Sequence, residues 1–85
     1  MEKGYNSDVT IQGTSYHVQT EDWGHHNPFL VSRIYRNGAV IRSIKRPYAE
    51  VLRQGPCSDQ QAIRLALQEQ HHKILDLLLS GHWLP

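Results

Sequence analysis

The sequence predicts an α+β fold, in which a four-stranded antiparallel sheet of two hairpins is followed by a short helix and a long C-terminal helix packed on one face. Two observations lead to this prediction. Short segments rich in β-branched residues are separated by turn residues in the first half of the chain, and apolar residues recur at helical spacing in the last third. The 85 residues are expected to form a single domain over positions 1–85.

The first two strands are predicted at residues 8–12 and 15–20. Gly13 and Thr14 between them suit a type II′ turn, because that turn places glycine at its first central position. The alternation along both strands indicates one apolar and one wet face. The register that follows from this turn forms two apolar pairs, Ile11 with Tyr16 and Val9 with Val18.

The second hairpin, residues 29–45, carries the strongest local signal in the chain. Asn37-Gly38 lies between two β-branched runs, and a type I′ turn needs positive φ at both central residues. A two-residue turn then sets Ile34 opposite Ile41, facing the long helix. The same register sets Arg33 opposite Arg42 on the outer face of the sheet.

Two arginines directly opposite each other repel unless an anion lies between them. The preferred partner is an internal carboxylate, Glu21 first, because the second strand should end near this pair. Asp22, Glu50 and an external anion are the alternatives.

The short helix is predicted over residues 47–54. Pro47 suits its first position, where the missing N–H has no partner in any helix. Gly55-Pro56 is expected to end it.

The long helix is predicted from Asp59 to about Ser80, with Gly81 following it. Residues 58–61 read Ser-Asp-Gln-Gln, which is a capping box for its first turn. Its apolar stripe, expected to face the sheet, consists of Ile63, Ala66, Leu67, Gln70, Ile74, Leu77 and Leu78. Gln70 within that stripe is expected to be a buried polar group bonded to backbone near a strand end.

Two surfaces carry more apolar residues than a solvated monomer is expected to show. The candidate binding surface is the outer sheet face, comprising Phe29, Val31, Arg33, Tyr35, Arg42, Ile44 and Arg46. The candidate oligomer flank lies beside and behind the helix stripe and comprises Leu65, Leu75 and Leu79.

No catalytic site, metal site or cofactor is predicted. Glu69, His72 and Asp76 share a helix face, and Glu69 with His72 has the spacing of half a di-metal ligand set. No other predicted helix supplies the matching half, so the three are expected to be a solvated polar face. Cys57 precedes a helix start, where a thiolate is favoured, yet no base pattern accompanies it. We therefore expect a protein that is not an enzyme.

The expected location is the cytoplasm, with no membrane contact. A single cysteine forms no disulfide framework, the first residues contain no apolar run, and no stretch approaches the ~18 apolar residues of a membrane span.

Four segments resemble small bacterial domains of uncharacterised function, and the likeness covers most of the chain. They are Tyr16-His-Val-Gln-Thr-Glu-Asp-Trp-Gly24, Pro28-Phe-Leu-Val-Ser-Arg33, Asn37-Gly-Ala-Val40 and Gln70-His71. The resemblance implies a bacterial cytosolic source and no particular activity.

These observations favour a non-enzymatic interaction module, either a homodimer or an adaptor to a larger protein partner. The alternative is a binder of nucleic acid or another anionic ligand through the arginine-bearing outer face. A net charge of +1 makes strong electrostatic binding of nucleic acid the less favoured of the two.

Overall fold

The computed structural model describes residues 4–51 and 59–81 and confirms the predicted α+β class. Its elements are β1 (Gly4–Ile11), β2 (Thr14–Asp22), β3 (Phe29–Arg36), β4 (Ala39–Pro47), α1 (Tyr48–Val51) and α2 (Asp59–Leu79). The strands form one antiparallel sheet in the order β1-β2-β3-β4. Helix α2 packs on one face, mainly against β2 and less against β1 and β3.

The first hairpin turns one residue earlier than predicted. Gln12 and Gly13 are its central residues, with φ of 51° and 83°, so the turn is of the primed type with glycine second. Val9 therefore lies opposite Tyr16, and the predicted pairing with Val18 is wrong. Because the true register differs by two positions, the faces are unchanged, and Val9 still packs against the core.

In the second hairpin the predicted turn is present, with φ of 55° at Asn37 and 82° at Gly38. Next to this turn, Arg36 pairs with Ala39 and Tyr35 with Val40. The register then shifts between Tyr35 and Ile34, which leaves Ile41 as an extra, bulged residue in β4. Ile34 consequently faces Arg42 instead of Ile41.

The same shift sets Arg33 opposite Ser43, so the predicted pair of opposed arginines does not form. A one-residue bulge moves every later side chain of its strand to the other face, which is the physical reason for the error.

The short helix starts one residue later than predicted. Pro47 is the last residue of β4, where it pairs with Phe29, and the backbone N–H of Tyr48 donates to the Pro28 carbonyl at 2.9 Å. The predicted stop at Gly55-Pro56, Cys57 and the capping residue Ser58 lie outside the described residues.

The core between sheet and helix contains two apolar clusters, and α2 contributes to both. The first consists of Tyr16, Val18, Ile34, Ile74 and Leu78. The second consists of Leu30, Tyr48, Ile63, Ala66 and Leu67. Buried polar residues that belong to neither cluster come from β2, β3 and α2: Thr20, Ser32, Gln70 and His71.

The predicted helix stripe is buried apart from Leu77, which is half-buried. His71 is also buried, at 2% exposure, and was not predicted to be. Leu75 is half-buried and packs against the first cluster, whereas Leu65 and Leu79 remain 54% and 56% exposed.

Candidate functional site

The predicted binding surface is divided between the two faces of the sheet. The alternation of β3 keeps Phe29, Val31, Arg33 and Tyr35 on the outer face, as predicted. The bulge turns the β4 members, Arg42, Ile44 and Arg46, to the helix side. The prediction that these seven residues share one face is therefore wrong, and Ile44 packs against the first core cluster.

A tryptophan covers the centre of the outer face. Arg33 and Lys45 place their cations 5.5 Å and 5.2 Å from the centre of the Trp23 ring, and Trp23 Nε1 donates to Glu21 Oε1 at 3.1 Å. Glu21 and Lys45 are the cross-strand neighbours of Val31, so the indole lies over Val31, which is 3% exposed. The chain thus covers with its own loop Val31, the central apolar residue of the surface that the sequence assigned to a partner.

Glu21 was the preferred carboxylate for an arginine pair. In the structure it accepts from Trp23, and Arg33 contacts the ring of the same tryptophan. Glu21 and Arg33 are therefore linked through Trp23.

The loop that carries this tryptophan is anchored at Asp22. Its Oδ1 accepts from the Gly24 backbone at 2.9 Å and from the Tyr48 hydroxyl, while the Trp23 backbone N–H donates to the Phe29 carbonyl at 3.0 Å. Burial first, and then the hydrogen bond to the Asp22 carboxylate and its charge, together raise the pKa of Tyr48 to about 12. No sequence motif predicts the contact between Asp22 and Tyr48, because the two residues are 26 positions apart in the chain.

A chain of five polar side chains crosses the helix–sheet interface. His71 lies 2.9 Å from Ser7 Oγ through Nε2 and 2.7 Å from Thr20 Oγ1 through Nδ1. Thr20 Oγ1 is 2.8 Å from Ser32 Oγ, and Gln70 Nε2 donates to Ser32 Oγ at 2.9 Å. We call this chain the polar network.

A neutral His71 with its proton on Nε2 satisfies the polar network in one direction. Gln70 donates to Ser32, Ser32 to Thr20 and Thr20 to His71 Nδ1, while His71 Nε2 donates to Ser7. Burial lowers the pKa of His71, and the charges of His72 and His17 lower it further. The predicted backbone bond of Gln70 is present at 3.5 Å to the Leu30 carbonyl.

Ser7 and His71 have the spacing of a nucleophile and its base, with Thr20 on the far nitrogen. A hydrolytic role would need space for a substrate beside the hydroxyl. Ser7 and His71 do not line either of the two grooves described below. We interpret the polar network as a structural element of the core.

The larger groove, of about 590 Å³, lies between α2 and β4. It exists because α2 crosses β1–β3 and leaves the inner side of β4 uncovered. Its apolar side chains are Ile44, Ile74 and Leu77, and its polar and charged ones are Lys45, Arg46, Glu50, Glu69, Gln70 and Lys73. Arg46 Nε lies 3.8 Å from Glu50 Oε1.

Gln70 connects this groove to the polar network. Its amide nitrogen is bonded within the network, but its Oε1 is buried without a hydrogen-bond partner among the described residues. The cost of leaving a buried acceptor unpaired is about 1–3 kcal/mol.

A shallower groove of about 510 Å³ lies on the outer face near the two hairpin turns. His17 Nδ1 is 2.8 Å from Asp8 Oδ1 there, and the His17 ring lies 5.9 Å from that of Tyr35. Because the Asp8 side chain is 84% exposed, this pair contributes little to stability.

Within residues 4–51 and 59–81, no three His, Cys, Asp or Glu side chains are arranged to hold a metal ion. Neither helix in these ranges is long and apolar enough to cross a membrane.

Comparisons with protein-family models, with curated proteins and with solved structures found no match. The resemblance to small bacterial domains therefore stays a prediction. The fold itself is an α+β domain with an open groove beside its long helix.

Proposed function

We propose that this protein is a non-enzymatic interaction module that works as a homodimer. The observation that carries the proposal is the uncovered inner side of β4, where Ile44, Ile74 and Leu77 line an open groove. Helix α2 adds Leu65 and Leu79, each more than half exposed. An apolar centre surrounded by charged residues is the usual composition of a protein interface.

The structure gives the outer sheet face less support as a dimer interface than the sequence alone gave it. Trp23 covers Val31 there and is itself held by Arg33 and Lys45. Of the large apolar side chains that are exposed among the described residues, Leu65 and Leu79 lie on α2, whereas Val40 and Ile41 lie in β4 beside the second hairpin turn.

Binding of nucleic acid or of another anionic ligand has less support for a similar reason. Arg33 lies on the outer face, whereas Arg42 and Arg46 lie on the helix side of β4. The single arginine-bearing face on which that alternative depends is divided between two sides of the sheet.

Sedimentation equilibrium over a range of protein concentrations tests the proposal. We expect a mass of twice the 9.8 kDa chain at the higher concentrations. A 9.8 kDa species at every concentration would contradict it. Val40→Gln replaces a 49% exposed apolar residue outside the groove, so this variant should dimerise like the wild type.

A further inference from the structure

We infer that the outer side of α2 in each copy docks in the groove of the other copy, an inference that rests on the proposed homodimer. The outer side is a line of exposed residues that we call the seam: Leu65, Gln68, His72 and Leu79. Leu65, His72 and Leu79 are seven residues apart, so they share one line along the helix. That line lies opposite the residues that α2 buries against its own sheet.

Seam and groove lie on the same side of the sheet, and this position permits a closed dimer. Consider a two-fold axis running along α2, on its groove side. The axis brings the two helices side by side between the two sheets, with each seam under the β4 strand of the other copy. Each sheet is then covered by two helices, and both unpartnered apolar surfaces are buried at once.

The charges of the two surfaces are complementary. Strand β4 contains no acidic residue, and two of its three cations, Arg42 and Arg46, lie on the helix side, whereas Lys45 contacts Trp23 on the outer face. The seam is flanked on its groove side by two exposed acids, Glu69 and Asp76. Docking therefore places carboxylates against a basic strand, whereas pairing β4 with β4 would oppose like charges.

Pairing of one seam with the other is the competing geometry. It would bury Leu65 and Leu79 against their equivalents and leave the groove open. Two sets of variants separate the geometries, because only seam-in-groove docking needs both surfaces.

The seam variant is Leu65→Gln with Leu79→Gln, at positions exposed enough to leave folding intact. The groove variant is Lys73→Glu with Leu77→Gln, which removes apolar surface and sets a new carboxylate against the acidic flank of the seam. Lys73→Glu alone, at an exposed position, serves as the groove variant if the half-buried Leu77 proves necessary for folding. Circular dichroism verifies the fold, and Val40→Gln is the control.

We expect the seam and groove variants to be monomers when each is alone. Mixed together, they should form a heterodimer, since the intact groove of one accepts the intact seam of the other. Native mass spectrometry resolves this species by its mass. A groove variant that dimerises like the wild type, or a mixture that stays monomeric at the concentration where the wild type is dimeric, overturns the inference. A monomeric wild type would instead overturn the proposed function.

Discussion

At the scale of single residues, His71 is a buried titratable group that joins α2 to the sheet. It is 2% exposed, bonded through both ring nitrogens and stacked against Tyr5 with 5.6 Å between ring centres. Protonation would place a second N–H against the Thr20 hydroxyl, which must then stop donating to Nδ1. The polar network therefore favours the neutral ring for two reasons, desolvation and donor direction.

This preference predicts a pH dependence of folding. The pKa of His71 is lowered in the folded state, so its contribution is fully present above the unfolded value of 6.5. The contribution is lost as the pH falls from there through the lower folded pKa, because the unfolded chain binds the proton more readily. The loss is at most about 1.4 kcal/mol per pH unit.

Urea unfolding between pH 7.5 and 5.5 measures this effect. We expect the wild type to lose stability toward pH 5.5 and His71→Gln to lose less over the same range. His26→Gln, at an exposed loop position, is the matched control and should follow the wild type. Equal slopes for His71→Gln and the wild type would refute the assignment.

At the scale of elements, the 23–28 loop changes the expected outer surface by placing Trp23 over Val31. Trp23→Ala uncovers Val31 and removes the aromatic partner of Arg33 and Lys45. From the apolar area and the two cation–π contacts we expect a loss of about 1–3 kcal/mol in unfolding free energy. Trp23→Phe should lose less, because a phenyl ring still covers Val31. Chemical denaturation of both variants decides the point, and an unchanged Trp23→Ala would mean that the indole contributes no cover.

The four strands, both helices and their order were predictable because hydrophobic period and turn residues act locally. Asn37-Gly38 shows the signal at its strongest, since both residues tolerate positive φ. The prediction of the first turn failed because Gly13 suits two turn types and because Gln12, which is not a glycine, adopts positive φ. The bulge at Ile41 has no local signal, as a β-branched residue in a β-branched run reads as ordinary strand.

The candidate site was predictable only in part, because local sequence patterns do not show how the elements pack. Leu65 and Leu79 could be recognised as residues off the helix stripe, but the groove depends on where α2 crosses the sheet. The polar network was not visible, because Ser7, Thr20 and Ser32 are hydroxyl residues in alternating strands and acquire meaning only when His71 lies over them.

At the scale of the whole molecule, α2 joins the two apolar clusters and also forms one wall of the groove. Ile74 and Leu78 lie in the first cluster, and Ile63 and Leu67 in the second. A single helix that serves the core along its length cannot detach from one cluster without disturbing the other. Its outer side is the part left available for a partner.

The proposed dimer therefore couples assembly to folding. A partner that binds only the folded chain stabilises it by mass action, so the midpoint of thermal unfolding should rise with protein concentration. Each tenfold increase in protein concentration stabilises the folded dimer against unfolding by about 1.4 kcal per mole of dimer. Calorimetry at several concentrations should show this rise for the wild type and for Val40→Gln. The seam variant, Leu65→Gln with Leu79→Gln, should have a midpoint independent of concentration. Salt should reduce the rise in the wild type, because it screens the attraction between the β4 cations and the acids beside the seam. A wild-type midpoint that does not move with concentration would show that folding proceeds without a second copy.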